Sequence, residues 1–175
     1  KEQPLGTVVT IENVRLINDV DLVNSSTFRD VEIDDPTGGV TIFGTNADMD
    51  TLLAGVSVGD RFTITGTTAS FNGKFELVVP FQISNFQDLN EPILPIFSHV
   101  SHFQTGQASA ELLESRYVRT GPINFSETGN FAGLANYTIN QDSFSMILRV
   151  ATSTLDMIGD AIPVGRCYVY GIIGQ

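Results

Sequence analysis

The chain states one pattern twice. Val31 to Ile64 can be laid over Tyr137 to Tyr170 without a gap. Ile33 then falls on Ile139, Val40 on Met146, Ile42 on Leu148, Met49 on Leu155, Asp50 on Asp156 and Leu52 on Ile158. Val56-Ser57-Val58-Gly59 falls on Ile162-Pro163-Val164-Gly165, and the alternating Phe62 and Ile64 on Tyr168 and Tyr170. The opening strand of each copy matches at a spacing three residues longer, with Val9-Thr10-Ile11 against Val118-Arg119-Thr120, Val14 against Ile123 and Leu16 against Phe125. Identities are few, but apolar positions keep their phase, which is what a duplicated unit retains after divergence. Such a chain folds as two copies of one small architecture, and 175 residues allow roughly 85 for each.

Within the first copy the alternation of apolar and polar residues predicts five strands. Thr7 to Ile17 changes phase near Asn13, the mark of a bulge. Thr27 to Ile33 follows, then a turn over Asp34-Asp35-Pro36-Thr37-Gly38-Gly39, then Val40 to Gly44. Ala47 to Leu53 makes about two helical turns, with Asn46 or Asp48 placed to cap them. Arg61 to Thr68 and Phe75 to Ile83 flank Asn72-Gly73, a hairpin signal. Five strands with a helix between the third and fourth is the order of the oligonucleotide/oligosaccharide-binding barrel, the OB-fold. The second copy predicts strands at Arg116 to Phe125, Asn130 to Asn140, Ser143 to Val150 and Arg166 to Ile173, with a short helix near Ser153 to Ile158. Thr105 is placed to cap a helix over residues 106–113. The expected fold is therefore all-β with short helices, as two tandem five-stranded OB-like barrels: residues 1–88, a Pro-containing linker over 89–104, and residues 105–175.

The second copy stops at Gln175, where its fifth strand should begin. Three explanations stand side by side: the chain is cut there, Ile96 to Phe103 fills the gap in permuted fashion, or a neighbouring chain donates a strand to the open edge. The start at Lys1 rather than Met reads as processing or truncation.

Nine Lys plus Arg face twenty Asp plus Glu, a net charge of −11. That charge repels polyanions at long range, so double-stranded nucleic acid is not an expected partner. No apolar run approaches the ~18 residues of a membrane helix. The single cysteine, Cys167, permits no internal disulfide and is expected as a small apolar residue of a strand.

Several stretches of the second copy resemble the OB-like repeats of secreted and cell-surface bacterial proteins, found beside extracellular nucleases and surface-anchoring modules. They are Leu113-Glu114-Ser115-Arg116-Tyr117-Val118-Arg119 through Asn124-Phe125, Gly129-Asn130-Phe131, Tyr137-Thr138-Ile139, Ile158-Gly159-Asp160-Ala161-Ile162-Pro163 and Gly171-Ile172-Ile173-Gly174-Gln175. Gly73-Lys74-Phe75-Glu76-Leu77-Val78-Val79-Pro80 resembles the fifth strand of such repeats. The resemblance implies fold and a secreted or cell-surface location, and it carries no catalytic residue across.

Few residues suggest chemistry. Asn46, Asp48 and Asp50 have the alternating oxygen spacing of a calcium loop, to which Asp34-Asp35 or Asn18 and Asp21 could add, but Thr51 stands where such a loop needs glycine. His99 and His102 have a zinc-compatible spacing with no acid nearby in sequence. Gly-x-Ser-x-Gly, phosphate-loop and dinucleotide fingerprints are missing, so no enzyme and no cofactor other than that calcium is expected. Phe43, Phe62, Phe71 and Phe75 could form a stacking platform of the OB type, or could simply be core. Asn24, Asn124 and Asn136 head glycosylation sequons. The expected function is a non-catalytic extracellular structural protein that binds copies of itself, up to a filament by strand complementation. The alternative is an extracellular binding or accessory module for a glycan or single-stranded nucleic acid.

Overall fold

The computed structural model describes residues 3–18, 27–104, 106–152 and 155–174. The chain divides into two units: residues 1–94 with 114–116 and 173–175, and residues 95–113 with 117–172. The segment expected as a linker, residues 89–104, is thus divided between them. The reason is hydrogen bonding: Leu89 and Asn90 donate backbone N–H groups to Asp60 Oδ1 at 3.0 and 3.1 Å, and Glu91 N–H reaches the Gly59 carbonyl.

The first unit is a closed barrel. Strands β1 (Val8–Leu16), β2 (Phe28–Asp35), β3 (Gly38–Thr45), β4 (Arg61–Phe71) and β5 (Lys74–Gln87) close in the order β1-β2-β3-β5-β4, with β3 and β5 parallel and the other pairs antiparallel. This is the OB-fold. The predicted bulge is present between Ile11 and Val14, where Asn13 takes φ 53°. Asn72 and Gly73 both have positive φ (51° and 89°), the geometry a two-residue hairpin demands. Helix α1 (Asn46–Leu52) lies between β3 and β4 as predicted, but its cap is Thr45, whose hydroxyl accepts Asp48 N–H while the Asp48 carboxylate accepts Thr45 N–H. Val14, Leu16, Val31, Ile33, Ile42, Met49, Phe62, Ile64 and Leu77 fill the interior, each at most 2% exposed.

Three residues distant in sequence complete this unit. Glu114 accepts Phe75 N–H at 2.9 Å, Ser115 Oγ lies 3.0 Å from Thr41 Oγ1, and Arg116 stands 3.8 Å from the Asp34 carboxylate. Ser115 and Arg116 are in turn tied to Ile173 by backbone bonds of 2.7 and 3.2 Å. Gly39 makes the docking feasible, since a Cβ there would meet the Ser115 carbonyl closer than 3.0 Å.

The second unit is a five-stranded sheet. Its strands are β6 (Ile96–Phe97), β7 (Tyr117–Phe125), β8 (Ala135–Gln141), β9 (Phe144–Val150) and β10 (Cys167–Ile172), and helix α2 spans Ala108–Leu113. The order is β10-β7-β8-β9, with β6 parallel to the first half of β7. Ile96 to Phe103 therefore does not replace the missing fifth strand between β9 and β10. It supplies β6 and a 3₁₀ turn (Val100–Phe103), whose Val100 is fully buried with Ile123 and Ile139. Asn130 is not in a strand: it makes one isolated bridge to Ala161, and Phe131 turns into a second cluster with Tyr137, Val150 and Ile162. Of the helix expected near Ser153 to Ile158, residues 153 and 154 lie outside the described residues. The remainder is a turn, with Ile158 N–H on the Leu155 carbonyl. Thr105 also lies outside them.

One feature of the repeat is corrected. Ile11 faces Ile64 and Val14 faces Phe62 in the first unit, while Thr120 faces Val169 and Ile123 faces Cys167 in the second. The inward pair matching Phe62 and Ile64 is thus Cys167 and Val169, one residue short of the gapless alignment. Strand side chains alternate, so this slip turns Tyr168 and Tyr170 outward, each 50% exposed, where Phe62 and Ile64 are fully buried.

Candidate functional site

Among the described residues the expected platform of Phe43, Phe62, Phe71 and Phe75 does not assemble. Phe62 is inside the barrel and Phe75 packs against the core from its edge. Phe43 stacks on Phe28 at 5.5 Å, and Phe71 stands 65% exposed beside the hairpin turn. The one lysine of this region, Lys74, is held by Asp30 and Glu32 at 3.3 Å each, leaving no cation for a phosphate.

Of the calcium candidates Asn46, Asp48 and Asp50, the two carboxylates are engaged within the fold: Asp48 closes the capping box and Asp50 pairs with Arg29. Asp34 pairs with Arg15, and Asp35 accepts Thr37 and Gly38 N–H in its turn. Asn18 Oδ1 accepts Glu32 N–H, and Asp21 lies outside the described residues, as does the Asn24 sequon. No group of three potential metal ligands occurs among the described residues.

Burial, the largest influence, pushes the Glu32 and Glu76 carboxyls up, against the lowering pull of Lys74. Burial would also raise Asp60, yet backbone N–H bonds from Ser57, Asn90 and Leu89 outweigh it and hold Asp60 below its ordinary value.

The second unit carries a site that the sequence reading missed. Arg119, near the start of β7, is paired in register with Phe97 on β6 and with Tyr170 on β10. Cross-strand neighbours share a face, and so do residues two apart along a strand, which adds Tyr168 and Tyr117. The Arg119 guanidinium carbon lies 4.0 Å from the Tyr168 ring centre, 4.7 Å from that of Phe97 and 5.6 Å from that of Tyr170. Tyr117 and Tyr170 follow at 6.4 Å. Phe97 is 71% exposed, so the strip is open to solvent.

Among the described residues three arginines have no acid partner: Arg149 donates to the Leu134 carbonyl and Asn136 Oδ1, Arg166 donates to the Pro122 carbonyl, and Arg119 lies among rings. Arg15, Arg29, Arg61, Lys74 and Arg116 each sit on a carboxylate in the first unit. Arg119 has no carboxylate within ion-pair distance among the described residues, and its buried Nε has no hydrogen-bond partner.

Beside it opens a cavity of about 280 Å³, lined by Phe97, Tyr168, Arg119, Ser98, His102 and Gln141, with His99 and Gly121 completing the wall. Gly121 has φ 135°, and a Cβ there would press on the Tyr168 ring. His102 Nδ1 lies 3.0 Å from Ser98 Oγ. His99 Nδ1 lies 2.9 Å from Ser101 Oγ and its Nε2 3.1 Å from Asp142. This serine, histidine and aspartate resemble a hydrolase relay, but Nδ1 also accepts Ser101 N–H as cap of the 3₁₀ turn, a structural role. The acid near His99, Asp142, comes from the turn between β8 and β9, far along the chain, so spacing alone could not show it.

No family model matches the chain, and no curated protein matches it. Two solved structures with a similar fold are the Ifi202 HINa domain in complex with 20-base-pair double-stranded DNA, and one from work on the molecular basis for abrogation of activation of pro-inflammatory cytokines. Identity is 9% in both; TM-scores are 0.42 and 0.41, covering 82% of this chain and 73% of each of those. Two expectations are corrected on this finding. The reading as a self-assembling extracellular structural protein is withdrawn, and so is the exclusion of double-stranded nucleic acid, since a neighbour in fold is held on duplex DNA. A likeness this distant assigns no residue here, and the site rests on this chain's own side chains.

Proposed function

We propose that the chain is a non-catalytic nucleic-acid-binding module that uses the Phe97–Arg119–Tyr168–Tyr170 face of its second unit. The observation that carries this reading is an arginine held among three exposed aromatic rings beside a cavity, with no acid partner among the described residues of a chain of net charge −11. Exposed rings offer bases a stacking surface worth about 1–3 kcal/mol per base. Arginine stacks on rings while its in-plane N–H groups stay available to a base edge or a phosphate. Two stacked bases and one charged contact support affinities of about micromolar order.

The test is fluorescence anisotropy of the full chain with labelled single-stranded DNA, single-stranded RNA and duplex DNA, the oligonucleotide being recovered intact afterwards. R119A and F97A should each weaken binding about tenfold or more while the melting temperature stays near that of the parent. Binding unchanged in both variants, or a preference for oligosaccharides over every oligonucleotide, would overturn the reading.

A further inference from the structure

The cavity beside Arg119 contains a second directed group, Gln141 at the end of β8, only 6% exposed yet part of the cavity wall. Its Oε1 accepts Val100 N–H at 2.9 Å and the Thr120 hydroxyl at 3.2 Å. Both partners donate, so the orientation of the carboxamide is fixed: oxygen inward, NH₂ left to a ligand. Among the described residues that NH₂ has no protein partner, and neither has Arg119 Nε. A carboxamide whose oxygen is held by two donors and whose NH₂ is unused at a cavity wall is a preorganised recognition group, because its orientation is set before a ligand arrives.

We infer that this cavity is a base pocket, taking one unpaired base that presents a ring carbonyl to the Gln141 NH₂ and the Arg119 guanidinium, so that Gln141 is the specificity-determining residue of the face. The inference rests on the nucleic-acid reading above. Three features favour a base over a phosphate. Arg119 is the sole permanent cation on the wall, and the other polar groups are a neutral amide, a hydroxyl and imidazoles. The walls are aromatic, as a flat heterocycle needs and a phosphate does not. A volume of about 280 Å³ accommodates one nucleotide unit. Donors on the floor favour guanine, thymine and uracil, whose carbonyls accept, and disfavour adenine, whose exocyclic amine would meet a second donor.

Stacking alone makes the opposite forecast, because the larger purine face binds rings at least as well. Oligo-dT and oligo-dA of equal length therefore separate the two contributions. The full chain should bind oligo-dT about tenfold more tightly than oligo-dA. Q141E keeps an oxygen for Val100 and Thr120 but replaces the NH₂ by an acceptor, and should bring the preference to parity or reverse it while F97A lowers both affinities together. T120V removes one of the two anchors of the amide, should lower the preference about threefold, and decides the matter if Q141E does not fold. Equal binding of the two oligonucleotides, or a preference unmoved by Q141E and T120V, overturns the base pocket and leaves the stacking face in place. Absence of binding to either, with F97A no different from the parent, overturns the face and the pocket together.

Discussion

At the scale of single residues the first unit is governed by where its carboxylates sit. Asp60 is 1% exposed and accepts three backbone N–H groups, Ser57 at 2.8 Å and Leu89 and Asn90 at 3.0 and 3.1 Å. Those bonds favour the charged form, so the folded value lies below the unfolded one. Its stabilisation is complete above the unfolded value near 3.8 and is lost as pH falls through the folded value. Glu32 and Glu76 run the other way. Their raised values mean that protonation favours the fold, so stability rises as pH drops from neutral through their folded values towards 4.5. Urea unfolding of the first unit should therefore show a maximum in the mildly acidic range, falling on both sides. D60A should cost about 1–3 kcal/mol, as three partly buried donors lose their acceptor, and should flatten the acid limb. An unchanged acid limb in D60A would show that Asp60 does not set it. None of this was legible in Asp60 alone, which in sequence is only half of a Gly-Asp turn; its donors come from residues that read as a linker.

At the scale of elements, most of the first barrel could be read from the chain: β1 with its bulge, the Asn72-Gly73 hairpin, the helix after β3. Alternation and turn chemistry act locally, and each left a local mark. What could not be read was phase in β10. Cys167-Tyr168-Val169-Tyr170 alternates equally well either way, since tyrosine tolerates burial and exposure alike. The repeat alignment favoured the wrong phase by one residue, and that one residue hid the binding face. The register now makes a contrast within four residues. V169A removes side-chain volume that packs with Ile123 and Ile139 and should destabilise the second unit by about 1–2 kcal/mol. Y168S should leave thermal stability within about 0.5 kcal/mol and weaken oligonucleotide binding at least fivefold. The reverse pattern would restore the gapless register and remove the face. Among the four phenylalanines picked from sequence, helical or strand context decided the outcome: Phe62 sits on the inward phase of β4, where burial wins over ligand access.

At the scale of the whole molecule, charge and site pull in opposite directions. A net charge of −11 repels a polyanion, while the face presents one permanent cation, so few counterions are released on binding. With about one phosphate neutralised on a single strand, log K should fall against log salt with a slope near −0.7 or shallower. Screening of the general repulsion flattens it further. A slope of several units in a salt titration would mean a basic surface elsewhere carries the affinity. This is also why composition misled: net charge counts every side chain equally, whereas five of the cations are consumed in ion pairs of the first unit and Arg119 stands among exposed rings with no acid among the described residues. The docking of Glu114, Ser115 and Arg116, tied through Ile173, has a consequence of its own. Chains emerge from the ribosome N-terminus first, and the second unit is complete once residue 172 is out. The first unit, although it begins the chain, waits for residue 173 before Ser115 and Arg116 are pinned. Of the two units the one translated earlier is finished later, and its Phe75 N–H awaits the Glu114 carboxylate from downstream while Asp34 already has Arg15.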